Sequence, residues 1–346
     1  MENIKFIGKQ LERLVLMTDN IGMIQHSKFD EPNLFHGYSI DDNARALIVL
    51  SRLFPDYYDM SLENLYFNYL VSARRDDGFF HNFKDCDNRW IVEEPIALRD
   101  CLGRVMWGFS EFVSYKPESE MVRTAKELFF QALPIAKGVD TPLSIAFSLI
   151  ALSKFPHAST NRDIAFTGKD LALKFKGYFK KYSDSSWRWP SNYMTYCNAR
   201  IPHSLMLWGN VAKDRDCLNL GLESLNFLID KSFSQGIFEA VGNKGWYKKN
   251  GEKSKYDEQT IEAGSMVEAC CYANLVTRDY RYNLNAQKAF SWFNGKNKKN
   301  IGMLESMGGV YDSITETGVN RNQGAESLLS YLMAVTSIYK ENLSRV

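Results

Sequence analysis

Ser144-Ile145-Ala146-Phe147-Ser148-Leu149-Ile150-Ala151-Leu152 is small or apolar on every side of a helix. A surface helix shows one apolar stripe and keeps a polar face for water; this run has no such face, so it belongs inside the fold with neighbours on both flanks. It lies within 142–155, and five further stretches share its character: 41–47, 100–108, 198–209, 260–273 and 323–335. Loops rich in aromatic, Gly and carboxylate residues lead into them. Between them, segments of ordinary amphipathic period and higher charge at 4–17, 62–74, 118–133, 167–181, 214–231 and 283–292 read as outer helices. One outer helix, one inner helix and a long loop make a unit longer than a helical-hairpin repeat of the tetratricopeptide kind. Twelve helices, outer alternating with inner, predict an all-α (α/α)6 toroid. An open-ended solenoid has the same alternation and is the rival architecture.

No Pro/Gly/Ser-rich linker divides the 346 residues, so residues 1–346 are expected to form one toroid domain. Hydrophobic residues make up 45%, enough for a large core, and a formal net charge of +1 gives no electrostatic case for nucleic acid or an anionic membrane. The N-terminus regains charge at Lys9 and Glu12 before a signal-peptide core could form, and no apolar run reaches the ~18 residues of a membrane span. A soluble, cytoplasmic protein is the expectation. The six cysteines include no Cys-x-x-Cys pair and the five histidines lack metal-ligand spacing, so neither disulfides, metal nor cofactor are expected. Phosphate-loop, dinucleotide-binding, His-Glu-x-x-His and Gly-x-Ser-x-Gly motifs are missing too.

In a closed ring all six inner helices start at the same rim. The loops entering them carry Phe35-His36-Gly37-Tyr38, Trp90, Trp187-Arg188-Trp189 and Trp246. Aromatic faces beside carboxylates and amides suit a sugar, whose C–H groups stack on rings while its hydroxyls need directional partners. Asp41-Asp42 opens the first inner helix with Arg45 on the same face, and two acids exceed what one helix cap requires. Glu94 precedes the second inner helix, whose first turn holds Asp100. Asn198, Arg200 and His203 stand at the start of the fourth inner helix; Asn320, Asn322 and Glu326 stand at that of the sixth. Asp257 enters the fifth, and Glu262 follows among Ala263, Gly264 and Ser265, where a carboxylate is buried unless it faces a polar cleft.

The stretches Gly37-Tyr38-Ser39-Ile40-Asp41-Asp42-Asn43-Ala44-Arg45-Ala46-Leu47, Asn198-Ala199-Arg200-Ile201-Pro202 and Gly318-Val319-Asn320-Arg321-Asn322-Gln323-Gly324-Ala325-Glu326-Ser327 resemble a bacterial family of six-hairpin-glycosidase-like proteins. The resemblance runs from about Phe35 to Leu332. Members occur alone or fused to glycosyltransferase domains, so it implies the toroid, a carbohydrate ligand and a glycosyltransferase as a partner. This chain departs from the pattern at Cys197, Ser191, Asn192 and Arg99, where relatives tend to carry acids, and at Glu258, where Gln is frequent. Asp41, Asp42, Asp100, Asp257, Glu262 and Glu326 match it.

The first functional expectation is therefore a glycoside hydrolase with paired carboxylates in a rim cleft: Glu262 as acid, Asp42 or Asp257 as base. Arg45, Arg200, Asn198, Asn320 and Asn322 would orient hydroxyls, Trp90, Trp189 and Trp246 would stack, and Tyr38, Asp41, Glu94, Asp100, His203 and Glu326 would complete the oligosaccharide site. Two other readings are a non-catalytic carbohydrate-binding or glycosyltransferase-accessory protein, and a lyase or epimerase using His203 or His36 with Tyr196.

Overall fold

Thr141 accepts a hydrogen bond from the Ser144 N–H and Pro142 occupies the first turn, so the run quoted above begins a helix at a well-formed cap. In the computed structural model, which describes residues 7–53, 60–95 and 98–343, that helix is α6 (Pro142–Lys154), and Ser144 through Leu152 are all buried. The other inner helices are α2 (Ile40–Arg52), α4 (Arg99–Tyr115), α8 (Arg200–Val211), α10 (Thr260–Thr277) and α12 (Ala325–Leu343). The outer ones are α1 (Gly8–Leu16), α3 (Met60–Ser72), α5 (Val122–Gly138), α7 (Arg162–Tyr182), α9 (Arg215–Ser232) and α11 (Tyr280–Ser291). Residues 4–6, expected to be helical, lie outside the described residues.

The inner helices pack in sequence, α2 on α4, α4 on α6, α6 on α8, α8 on α10 and α10 on α12, and α12 returns to α2. That last contact closes the ring and excludes the open solenoid. Each of α3, α5, α7, α9 and α11 lies against the inner helix before it in the chain, while α1 lies against α12. Small residues set the spacing. A Cβ on Gly264 would fall 2.6 Å from the Ser330 carbonyl oxygen, and one on Gly103 would fall 2.7 Å from Phe147 Cβ, so α10–α12 and α4–α6 approach too closely for any side chain there.

Several helices outrun their sequence pattern, and in two the reason is visible. α4 continues beyond residue 108 because Phe109, Phe112 and Val113 stay buried and the charge of Glu111 is met by Arg52 at 2.6 Å. α5 runs through Pro134, which removes one N–H donor without ending the helix.

Antiparallel strand pairs tie the entry loops together at the rim where the inner helices start. Tyr38–Ser39 pairs with Phe83–Lys84 and Tyr193–Met194 with Tyr247–Lys248, while Ser313–Thr315 lies between Glu258–Gln259 and Gly318–Asn320. No described helix is long and apolar enough to cross a membrane.

Candidate active site

Ser39 caps α2: its hydroxyl oxygen accepts from the Asp42 N–H and its proton goes to Asp42 Oδ2 at 2.6 Å. Helical spacing then brings Arg45 back over both aspartates, with Nη2 2.6 Å from Asp41 Oδ2 and Nη1 3.4 Å from Asp42 Oδ1. The same guanidinium crosses the ring to Glu326 of α12 at 3.3 Å. Arg104 of α4 reaches Asp41 Oδ1 at 3.0 Å from the other side, its guanidinium lying 4.3 Å from the centre of the Phe147 ring. Arg104 also donates to the Tyr196 hydroxyl at 3.4 Å, which donates to Asp100 at 3.0 Å, and Ser144 completes the chain with a 2.5 Å bond to Asp100. On the remaining side, Asn198 donates through its backbone N–H (3.3 Å) and its side-chain amide (3.0 Å) to Glu262 Oε2 on α10. Asp42, Asp100, Asn198, Glu262 and Glu326 thus meet at one mouth of the ring.

Burial dominates the protonation of this mouth. The Glu262 residue is only 6% exposed, and among the described residues Oε1 has no hydrogen-bond partner. Desolvation pushes it up to about 7; the Asn198 donors and the Cys197 backbone N–H oppose the rise and the charge of Glu326 adds to it. Asp42 is likewise pushed up to about 7 by desolvation, against the pull of Arg45 and the Ser39 hydroxyl and with the help of Asp41 and Glu326. Glu326 is raised by its surroundings as well, although its side chain keeps 40% of its surface at the mouth. The throat below, between Asp41, Arg45, Arg104, Trp107, Phe147 and Arg200, has about 10 Å³ of free space, room for a single water. A sugar at this mouth would rest above the ion pairs, against the rim.

On that rim, Trp90 is half-buried, stacked on His81 at 5.2 Å with the Lys84 ammonium 4.4 Å from its ring, and Trp246 is half-buried in the loop that ends at Asp257. Asp257 is held by Lys244 at 3.5 Å and accepts nothing from Glu262, while its N–H donates to Asn243. Glu94 is exposed in the loop before α4. Asn320 and Asn322 brace the loop into α12: Asn320 accepts from the Asn322 N–H, and Asn322 from the Phe29 N–H.

Four expected ligand contacts fall elsewhere. Tyr38 is 0% exposed and spends its hydroxyl on Asp19 at 2.5 Å, and Trp189 is 1% exposed, so both rings belong to the core. Both stand in entry loops, but Tyr38 is tied into the strand pair with Phe83–Lys84 and Trp189 is packed into the hydrophobic core. Arg200 runs down the bore to Glu268 and lies 4.7 Å from the Trp107 ring centre. His203, one helical turn deeper, lines a different cavity with Arg52 and Lys154. Tyr196 was expected only in the lyase or epimerase reading; Arg104, which with it links Asp41 to Asp100, escaped the expected site set, as did Glu111 and Glu268. The sequence carried a signal for the last two: each is an acid in the apolar body of an inner helix, beyond its first turn, which burial permits only with a partner.

A closed ring of six helical hairpins with an acid-lined mouth is the six-hairpin glycosidase-like (α/α)6 architecture. No family model matches the sequence, nor does any curated protein. Solved structures with this architecture match over nearly the whole chain. A D-mannose isomerase shares 12% identity with a TM-score of 0.74, covering 98% of this chain and 97% of that one. The cellobiose 2-epimerase from Bacillus thermoamylovorans B4167 shares 12% with a TM-score of 0.73 and full coverage of both chains. The GH76A alpha-1,6-mannanase from Salegentibacter sp. HEL1_6 shares 12% with a TM-score of 0.64 and 98% of each chain.

Proposed function

We propose that the protein is a carbohydrate-active enzyme that hydrolyses a glycosidic bond at the acid-lined mouth of the ring. The observation that carries the proposal is Glu262: a buried carboxyl with one oxygen fixed by Asn198, the other unpartnered, and a proton affinity raised to about 7. Such a group holds a proton near neutral pH and gives it to a leaving oxygen. The Asp41-Asp42 pair supplies the carboxylate that takes the proton of the attacking water, and the surrounding guanidiniums of Arg45 and Arg104 fix its geometry. Water adds across the bond, its hydroxyl to the anomeric carbon and a proton to the departing sugar. Trp90 and Trp246 serve as stacking faces and Asp257 as a hydroxyl acceptor on the rim. Support also comes from the Salegentibacter mannanase, whose form with two adjacent aspartates replaced by Asn is inactive and was obtained with alpha-1,6-mannotriose.

One observation favours a second reading, a sugar epimerase or isomerase: the TM-scores of 0.73 and 0.74 to such enzymes exceed the 0.64 to the mannanase. His203 would not serve that chemistry, because it faces the other mouth from Tyr196. Proton transfer would then fall to His36, exposed in the loop before α2, or to Glu262 and Asp42. Incubation with manno- and gluco-oligosaccharides distinguishes the readings. New reducing ends that disappear in Glu262→Gln support hydrolysis; deuterium uptake at C2 in D2O without cleavage replaces it with epimerisation. Saturable binding with neither reaction assigns a binding role, including that of a glycosyltransferase accessory.

A further inference from the structure

The far mouth of the ring, where the inner helices end, holds a second cavity of about 180 Å³. It is separated from the acid-lined mouth by the one-water throat, and Leu275, 41% exposed, stands at its entrance. Its walls include Tyr115, Tyr272 and Leu275, with Arg52, Lys154 and His203 as the basic side chains and Glu268 as the acidic one. The space is comparable to cavities that admit one six-membered ring.

The charges around it do not balance. Arg52 lies between Glu111 at 2.6 Å and Glu268 at 3.0 Å, and Glu268 is shared with Arg200. Lys154 adds a third cation whose closest carboxylate, Glu111, is 3.7 Å away, beyond hydrogen-bond range, while its side chain keeps 24% of its surface. Among the described residues three cations therefore stand against two carboxylates, both held ionised by their guanidinium partners. The imidazole of His203 registers the surplus: burial first, then Arg200, Lys154 and Arg52, keep it neutral against the pull of Glu111. Arg52 uses three of its N–H donors on Glu111 and Glu268, which leaves two among the described residues.

We propose that this cavity binds a small organic oxyanion, a carboxylate or a phosphate monoester, whose acid group pairs with Lys154 and Arg52 while its ring-sized body lies against Tyr115 and Tyr272. The anion removes the surplus charge and supplies Lys154 with the hydrogen-bond acceptor it lacks among the described residues. Nothing in this assignment depends on the reaction at the other mouth.

Calorimetry with benzoate, phenyl phosphate, inorganic phosphate and neutral benzyl alcohol tests the proposal on the intact protein. One or both organic anions should bind saturably and lose affinity with added salt, and benzyl alcohol should bind more weakly. The stronger of benzoate and phenyl phosphate identifies the acid group. Lys154→Met should weaken that anion about tenfold, the scale of one charge-assisted contact. Leu275→Trp, which plugs the entrance from an exposed position, should abolish binding, while Glu262→Gln should leave it unchanged. If Lys154→Met fails to fold, the Leu275 variant carries the test alone. Absence of saturable binding by every anion, or wild-type affinity in Leu275→Trp, overturns the proposal.

Discussion

Replacing Glu262 by Gln should make the protein more stable at pH 8 while removing its activity. The Glu262 carboxyl is raised from an ordinary 4.5 to about 7, so the folded state holds its proton more tightly than the unfolded chain does. Stability from this group is fully present below the unfolded value, declines as pH rises past it, and is lost once pH exceeds the folded value. The window is therefore from about 4.5 to about 7. A difference of about 2.5 units at 1.36 kcal/mol each amounts to about 3 kcal/mol. Gln mimics the protonated acid: its carbonyl can accept from Asn198, and its NH2 takes the place of the unpartnered Oε1. The variant escapes the charge penalty above pH 7 and gains nothing below pH 4.5. With an unfolding entropy of about 2 cal/mol/K per residue over 346 residues, the gain corresponds to a Tm rise of about 4 °C at pH 8. Turnover of a cleaved oligosaccharide should fall by roughly 100-fold or more. The assay is calorimetric melting of both proteins at pH 4.5 and pH 8, alongside reducing-end release. A Gln variant that melts lower than wild type at pH 8 would show that Glu262 is an ionised, paired carboxylate, and full activity would end its role as acid.

Two further outcomes follow from packing. Trp189→Ala should destabilise the fold by about 3–5 kcal/mol in urea unfolding, as for a fully enclosed ring, whereas Trp90→Ala should cost less stability and weaken sugar affinity measured by calorimetry. Equal losses of stability would place both rings in the core. Gly264→Ala should destabilise by about 1–3 kcal/mol, because its methyl would meet the Ser330 carbonyl 2.6 Å away, and an unchanged urea midpoint would refute the close α10–α12 contact.

What the sequence determined by itself was the alternation of helices and the end of the ring that carries the acids. Ser144 through Leu152 has no face for water, and the acid-bearing loops precede helices of the same character, so the inner helices and the rim they share followed from periodicity alone. The convergence of Asp42, Asp100, Asn198, Glu262 and Glu326 was legible for the same reason, since each stands within about two turns of an inner-helix start. Tertiary structure decided which of the rim residues reach the opening and how deep each side chain lies along the bore. Tyr38 and Trp189 share loops with exposed groups, yet both rings are enclosed in the core. Arg200 and His203 begin α8 beside Asn198, yet one points down to Glu268 and the other faces the opposite cavity, because a single helical turn moves a side chain about 5 Å along the axis. A period of 3.6 residues fixes the face a residue shows to its ring, but the partners across the ring, Arg45 with Glu326 or Arg52 with Glu111 and Glu268, come from segments that only closure brings together.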